Sequence, residues 1–122
     1  MTTPAGLHRI DELPLDHPAS GAARRRVIGA RCMVSHLVLE PGFEVARHAH
    51  ENEQVSMVLD GRIRFELGEP GAPEHGVIEA GPGDVVMLPP NLPHSAVVIK
   101  RCTLIDIFSP PSEATGIDAP SS

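Results

Sequence analysis

The sequence contains no tryptophan and no tyrosine, and three phenylalanines make up its whole complement of Phe, Trp and Tyr. A tyrosine acid or base is thereby excluded, and the stacking platform on which single-stranded nucleic acids are usually held is missing. Cysteine is scarce as well. Cys32 and Cys102 stand far apart and form no CxxC, which removes a zinc knuckle and a thioredoxin-type pair and leaves two buried, reduced thiols as the expectation. Positive charge is not concentrated: ten Lys and Arg against sixteen Asp and Glu give a formal net charge of −6, with no basic face for nucleic acid or anionic membrane. No basic segment followed by an apolar one opens the chain, and no apolar run approaches the roughly 20 residues of a membrane span. The expectation is a soluble cytoplasmic protein whose partner is a small molecule, with neither nucleic acid nor membrane involved.

Proline and glycine are plentiful, thirteen and eleven in 122 residues, and they punctuate the chain at short intervals: Pro41-Gly42, Asp60-Gly61, Gly81-Pro82-Gly83, Pro89-Pro90-Asn91. Between these marks lie strand-length runs rich in branched residues, such as "QVSMVLD", "RIRFELG", "DVVMLP" and "CTLIDIF", none with a helical stripe. The pattern predicts a single all-β domain, a sandwich or barrel. Residues 1–24 read as an amino-terminal arm laid over the barrel or onto a partner subunit, residues 25–109 as the barrel, and residues 110–122 as a loose tail. The run Arg24 to Arg26 reads as a solvated strand start.

"RHAHENEQ", residues 47–54, is the chemically dense stretch. On a strand, side chains alternate faces, so His48 and His50 point one way together with Asn52 and Gln54, while Glu51 and Glu53 point the other. A bulge between residues 50 and 54 would reverse the later parity and bring Glu53 inward. Two inward imidazoles suit chelation of a divalent transition metal, Fe, Ni, Mn, Co or Zn, since neutral imidazole binds these at about 2.0 to 2.2 Å. Surface histidines beside a turn are the alternative.

The surroundings of the pair carry a family resemblance. In "GFEVARHAHENEQVSMVLDG" Gly42, His48, His50, Gln54 and Gly61 are spaced as in the first cupin motif, and in "GDVVMLPPNLPH" Gly83, Pro89, Asn91 and His94 resemble the second. The resemblance implies a cupin-type jelly-roll β-barrel (a double-stranded β-helix) over residues 25–109, holding one metal ion. "HAHENEQ" and "LIDIFSPP" look most like the small single-domain group that includes the pectin-degradation enzymes opening unsaturated uronate rings. That likeness implies His48, His50, Gln54 and His94 as ligands, Asp106 as acid/base and Phe108 as its aromatic neighbour in the substrate site. Gln54 stands where cupins most often carry Glu, so the site lacks one negative charge and a general base. The uronate enzymes also carry an arginine where this chain has Ser112; Arg62, or else Arg26 or Arg64, is the candidate to replace it.

Three functions follow as expectations. A metal-dependent lyase or isomerase would act on a small oxygenated substrate, with Asp106 moving the proton; an Fe(II) dioxygenase would use the open coordination positions; a noncatalytic cupin would only bind. Small cupins commonly dimerise through an exposed sheet, and Val55, Met57 and Leu59, opposite in parity to Gln54, are the expected homodimer contact. His8, His17 and His75 are expected at the surface. His36 faces either the barrel or the partner, and Met33, Met57 and Met87 are assigned to core packing.

Overall fold

The computed structural model describes residues 2–112, and within them the helical content is one 3₁₀ turn, Ile10–Glu12. Eight strands follow: β1 (Asp16–Ala19), β2 (Ala22–Ile28), β3 (Met33–Leu39), β4 (Glu44–His48), β5 (Glu53–Leu67), β6 (Gly76–Ala80), β7 (Val85–Leu88) and β8 (His94–Ser109). Every pairing is antiparallel. The all-β expectation is met. Of the expected tail, residues 113–122 lie outside the described residues.

Two long strands organise the barrel. β5 and β8 pair with each other from Glu53↔Ser109 to Leu67↔His94, with register shifts clustered between Val58 and Ile63. On one side of these shifts the order is β1-β2-β3-β8-β5-β7, and on the other β4-β8-β5-β6. The inner faces of both halves line one cavity, so the strands turn a corner and the halves face each other as a jelly roll. Gly61 makes the corner possible: its φ is +86°, and a Cβ there would stand 2.0 Å from the Arg101 carbonyl oxygen.

Alternation sets the interior. In β3, Met33, Ser35, Leu37 and Leu39 are buried while Val34, His36 and Val38 lie half-exposed on the outside. Leu37, Val58, Ile63, Phe65, Leu88 and Leu104 join in one core from both halves. Each such side chain contributes about 1.5 to 3 kcal/mol on burial. Because polar residues take the same inward parity near one end, that core gives way there to a polar site.

Several expectations are corrected. Within the expected amino-terminal arm, β1 and the start of β2 form a hairpin, and Arg24 is buried and not solvated, its guanidinium bridging both carboxylate oxygens of Asp16 at 3.1 and 2.7 Å. The preceding residues lie along the chain's own barrel, where Arg25 donates to the Asp11 and Leu13 carbonyls and the Thr3 amide donates to Ile28. Arg24 to Arg26 is therefore an anchoring run. Cys102 is buried but Cys32, in the β2–β3 turn, is exposed. Met33 packs in the core, whereas Met57 and Met87 face outward beside each other's strand partners, and His36 faces outward too.

Candidate metal centre

The site forms where β4, its following turn, β5 and β8 meet. β4 pairs with β8 through Val45↔Ala96 and His48↔His94, and the register shifts between these pairs. That bulge turns both Val45 and His48 inward although they are three residues apart. β4 ends at His48, so His50 lies on the turn and not on a strand as parity implied. The turn is held by the Asn91 amide, which donates 2.8 Å to the His50 carbonyl. Asn91 occupies the left-handed region at φ 65°, a conformation asparagine tolerates well. β5 then begins without a bulge: Gln54 is buried and Glu53 exposed, which resolves the parity question in favour of Gln54.

His48, His50 and His94 converge, with one ring nitrogen of each within 4.8 Å of those of the other two. All three rings are oriented the same way, by local backbone. Nδ1 of His48 donates to the Ala46 carbonyl at 2.9 Å, Nδ1 of His50 to Asn52 at 3.0 Å and Nδ1 of His94 to Leu92 at 2.9 Å. A carbonyl only accepts, so each Nδ1 carries a proton and turns Nε2 toward the centre, where the neutral form of the ring offers a lone pair, the arrangement a metal-ligating histidine needs.

Two observations test whether a cation fits. Nε2 of His48 is buried with no hydrogen-bond partner among the described residues. His50 faces acceptors at both nitrogens, since Nε2 stands 3.1 Å from Oε1 of Gln54 while a neutral imidazole has one N–H. Two lone pairs at that distance repel unless a cation stands between them, and cis donors about 2.1 Å from a shared ion are separated by about 3.0 Å. The donor set of three imidazoles and an amide oxygen therefore fits a divalent transition metal.

Behind the ligands, Gln54 Nε2 donates to Ser56 Oγ at 3.2 Å, and Ser56 Oγ donates to Oδ1 of Asp106 at 2.5 Å. Asp106 pairs across the sheet with Ser56 on one side and Ser35 on the other. The Ser35 hydroxyl is buried and unpaired among the described residues. Burial pushes the Asp106 carboxyl up to about 6, against the hydrogen bonds from Ser56 and Gln54 that favour its ionised form. Burial likewise holds His94 down to about 4, opposed by the Leu92 carbonyl and reinforced by the two other imidazoles.

The cavity measures about 30 Å³, and His48, Gln54, Ser56, His94 and Asp106 form its polar wall. At about 10 to 15 Å³ per water centre, this holds roughly two waters. No arginine or lysine lines it. Arg62, the candidate cation, is on the outside, where its Nε donates 2.9 Å to Glu79; Arg64 donates to the same carboxylate. Strand parity accounts for this, since Arg62 and Arg64 alternate with the buried Ile63 and Phe65. Phe108 is fully buried but packs behind His50, ring centroids 5.9 Å apart, and is not among the cavity-lining residues. Ser35 and Ser56 escaped sequence reasoning although the signal was present: each is a small polar residue at inward parity within an apolar run. Asn52 is also buried, and its amide donates to the Pro110 carbonyl, clipping the end of β8 over the turn that carries His50.

A jelly-roll barrel that gathers three imidazoles from two strands and a turn around one point defines a class, the small β-barrels with a three-histidine cluster that could hold a metal ion. The cupin domain family matches residues 35–108, and this chain belongs to that family. Among solved structures it is similar to KdgF from Halomonas sp., with 26% identity over 84% of this chain and 93% of that one and a TM-score of 0.74. A RmlC-like cupin from Shewanella frigidimarina shares 27% identity over 93% of this chain and 97% of that one, with a TM-score of 0.75. Oxalate decarboxylase from Bacillus subtilis shares the fold at 17% identity, covering 97% of this chain and 33% of the enzyme, with a TM-score of 0.78. No curated protein matches the chain. The resemblance to pectin-degradation cupins carried by "HAHENEQ" and "LIDIFSPP" agrees with the KdgF likeness.

Proposed function

We propose that this protein is a mononuclear metal-dependent enzyme of the lyase or isomerase type, moving a proton on a small oxygenated substrate such as a sugar acid or a biosynthetic intermediate. The observation that carries this reading is the placement of Asp106, a carboxyl enclosed in the barrel on the same cavity wall as His48, Gln54 and His94. Carboxylates are rarely buried without a partner charge or a task. A bound divalent cation would supply Lewis acidity toward a carbonyl or hydroxyl oxygen. Asp106 holds or releases the proton at Oδ1 or Oδ2, and Ser56 keeps its carboxyl in place. With room for about two waters, the cavity admits one terminal functional group while the rest of the substrate stays at the mouth.

Likeness to KdgF supports a sugar acid as the first class to test. Against a uronate in particular, the cavity offers its carboxylate no guanidinium, and Ser112 stands where the uronate enzymes carry arginine. The test is a panel of sugar acids and keto acids incubated with metal-loaded protein in D₂O and read by NMR. Wild type should incorporate solvent deuterium into one of them, and Asp106→Asn should slow this by about 100-fold or more. Equal exchange rates in the two proteins would end the proton-transfer reading.

A second copy of the chain is the partner we assign to the outer face. Rows of side chains cross five strands there, Val27-Val34-Ile107-Val55-Met87 and Arg25-His36-Ile105-Met57-Val85. At about 4.8 Å per strand the face measures on the order of 500 Å² per copy, so a symmetric pair covers roughly 1,000 Å², the lower bound for a specific interface. Light scattering at micromolar concentration should give a dimeric mass; a monomeric mass would end this assignment.

A further inference from the structure

The side-chain amide of Gln54 has two ends of nearly the same shape, and only the oxygen can ligate a cation. Its immediate neighbour His50 does not select the oxygen end. In the metal-free site His50 Nε2 presents a lone pair, which would be better satisfied by the amide NH₂, yet Oε1 is the atom that faces it at 3.1 Å. Something on the other side must hold the amide against that preference.

The other side is the buried pair Ser56 and Asp106. The Ser56 hydroxyl donates its one proton to Asp106 Oδ1 at 2.5 Å and so turns its lone pairs toward Gln54. Gln54 must then present NH₂, which it does at 3.2 Å. Gln54, Ser56 and Asp106 are 5%, 1% and 5% exposed, so these bonds lie away from bulk solvent.

We propose that Ser56 is a positioning residue that, together with the Asp106 carboxylate, fixes which end of the Gln54 amide faces the metal position. The inference rests on the reading of His48, His50, Gln54 and His94 as a metal centre. It assigns a reason for the pairing of glutamine at position 54 with serine two residues later: a neutral ligand with two ends requires an orienting acceptor, whereas a carboxylate, with oxygens at both ends, does not.

The test is Co²⁺ affinity, measured by chelator competition, together with the Co²⁺ visible spectrum and the melting temperature of the metal-free protein. The proteins are wild type, Ser56→Ala, Ser56→Thr, Gln54→Glu and the double variant Gln54→Glu/Ser56→Ala. Ser56→Ala should weaken Co²⁺ binding by about tenfold or more and alter its spectrum, as loss of a partner that orients a ligand does. Ser56→Thr, which keeps the hydroxyl, should restore both. In the Gln54→Glu background, Ser56→Ala should change affinity by no more than about twofold. Equal losses in the two backgrounds would mean that Ser56 acts through packing, and an unchanged Ser56→Ala affinity would mean that it does not orient the amide; either overturns the inference. Wild type that binds no Co²⁺ would instead overturn the metal-centre reading, and the inference with it.

Discussion

Replacing Asp106 by asparagine should make the metal-free protein more stable while removing its proposed activity. The carboxyl is enclosed, and burial raises it from its ordinary 3.8 to about 6. Each pH step by which the folded value exceeds the unfolded one corresponds to about 1.4 kcal/mol, so the ionised group destabilises the fold by up to about 3 kcal/mol. The sign follows from proton counts. Between pH 3.8 and about 6 the folded chain binds a proton that the unfolded chain has lost, so stability falls as pH rises through that window and stays lower above it. Asparagine has no such ionisation, and its Oδ1 can still accept the Ser56 hydroxyl. Urea unfolding of chelator-treated protein should therefore show Asp106→Asn gaining up to about 3 kcal/mol at pH 8 and close to nothing at pH 4. A variant no more stable than wild type at pH 8, or equally favoured at both pH values, would refute the reasoning. A destabilising carboxyl kept in the core is what a functional group looks like in stability terms.

Other outcomes follow from particular contacts. One thiol, that of Cys32, should react with a thiol reagent at pH 8 in the native protein and a second only after unfolding, because burial first, then Asp106 and Asp60, push Cys102 up to about 11. Two fast-reacting thiols in the native state would contradict the packing. Gly61→Ala should destabilise the barrel by about 3 kcal/mol or more in urea, since the added Cβ meets the Arg101 carbonyl oxygen at 2.0 Å at a φ of +86°; wild-type stability would show that the corner is not fixed there. Met57→Glu, in the outer row between Ile105 and Val85, should convert the proposed dimer to monomer by light scattering and leave metal binding unchanged. Persistence of the dimer would place the interface elsewhere.

Strand content was legible in the sequence because short runs rich in branched residues, bounded by glycine and proline, carry no helical stripe. The three-histidine cluster was legible because two spaced motifs bracket it, and the inward placement of Gln54 over Glu53 followed from strand parity. What was not legible came from pairing. That Arg24 is buried depends on Asp16 crossing from β1, and that Val45 and His48 share a face depends on a bulge against β8. His50 left the strand yet kept its orientation, because the Asn91 amide holds its turn and its own Nδ1 bonds Asn52. Arg62 was misassigned by looking for a missing cation without applying parity: its neighbour Ile63 takes the inward place. Phe108, expected in the substrate site, is buried against His50 and is not among the cavity-lining residues.

The central claim is that His48, His50, Gln54 and His94 hold a single metal ion. It is tested most directly by elemental mass spectrometry of the protein purified without added metal or a histidine tag, beside His94→Ala. The account predicts about one equivalent of a transition metal in wild type and its loss in the variant, iron turning the chemistry toward oxygenation and nickel, zinc or manganese toward lyase or isomerase work. No metal in either protein, and none taken up on titration, would contradict the account and leave a noncatalytic binding barrel.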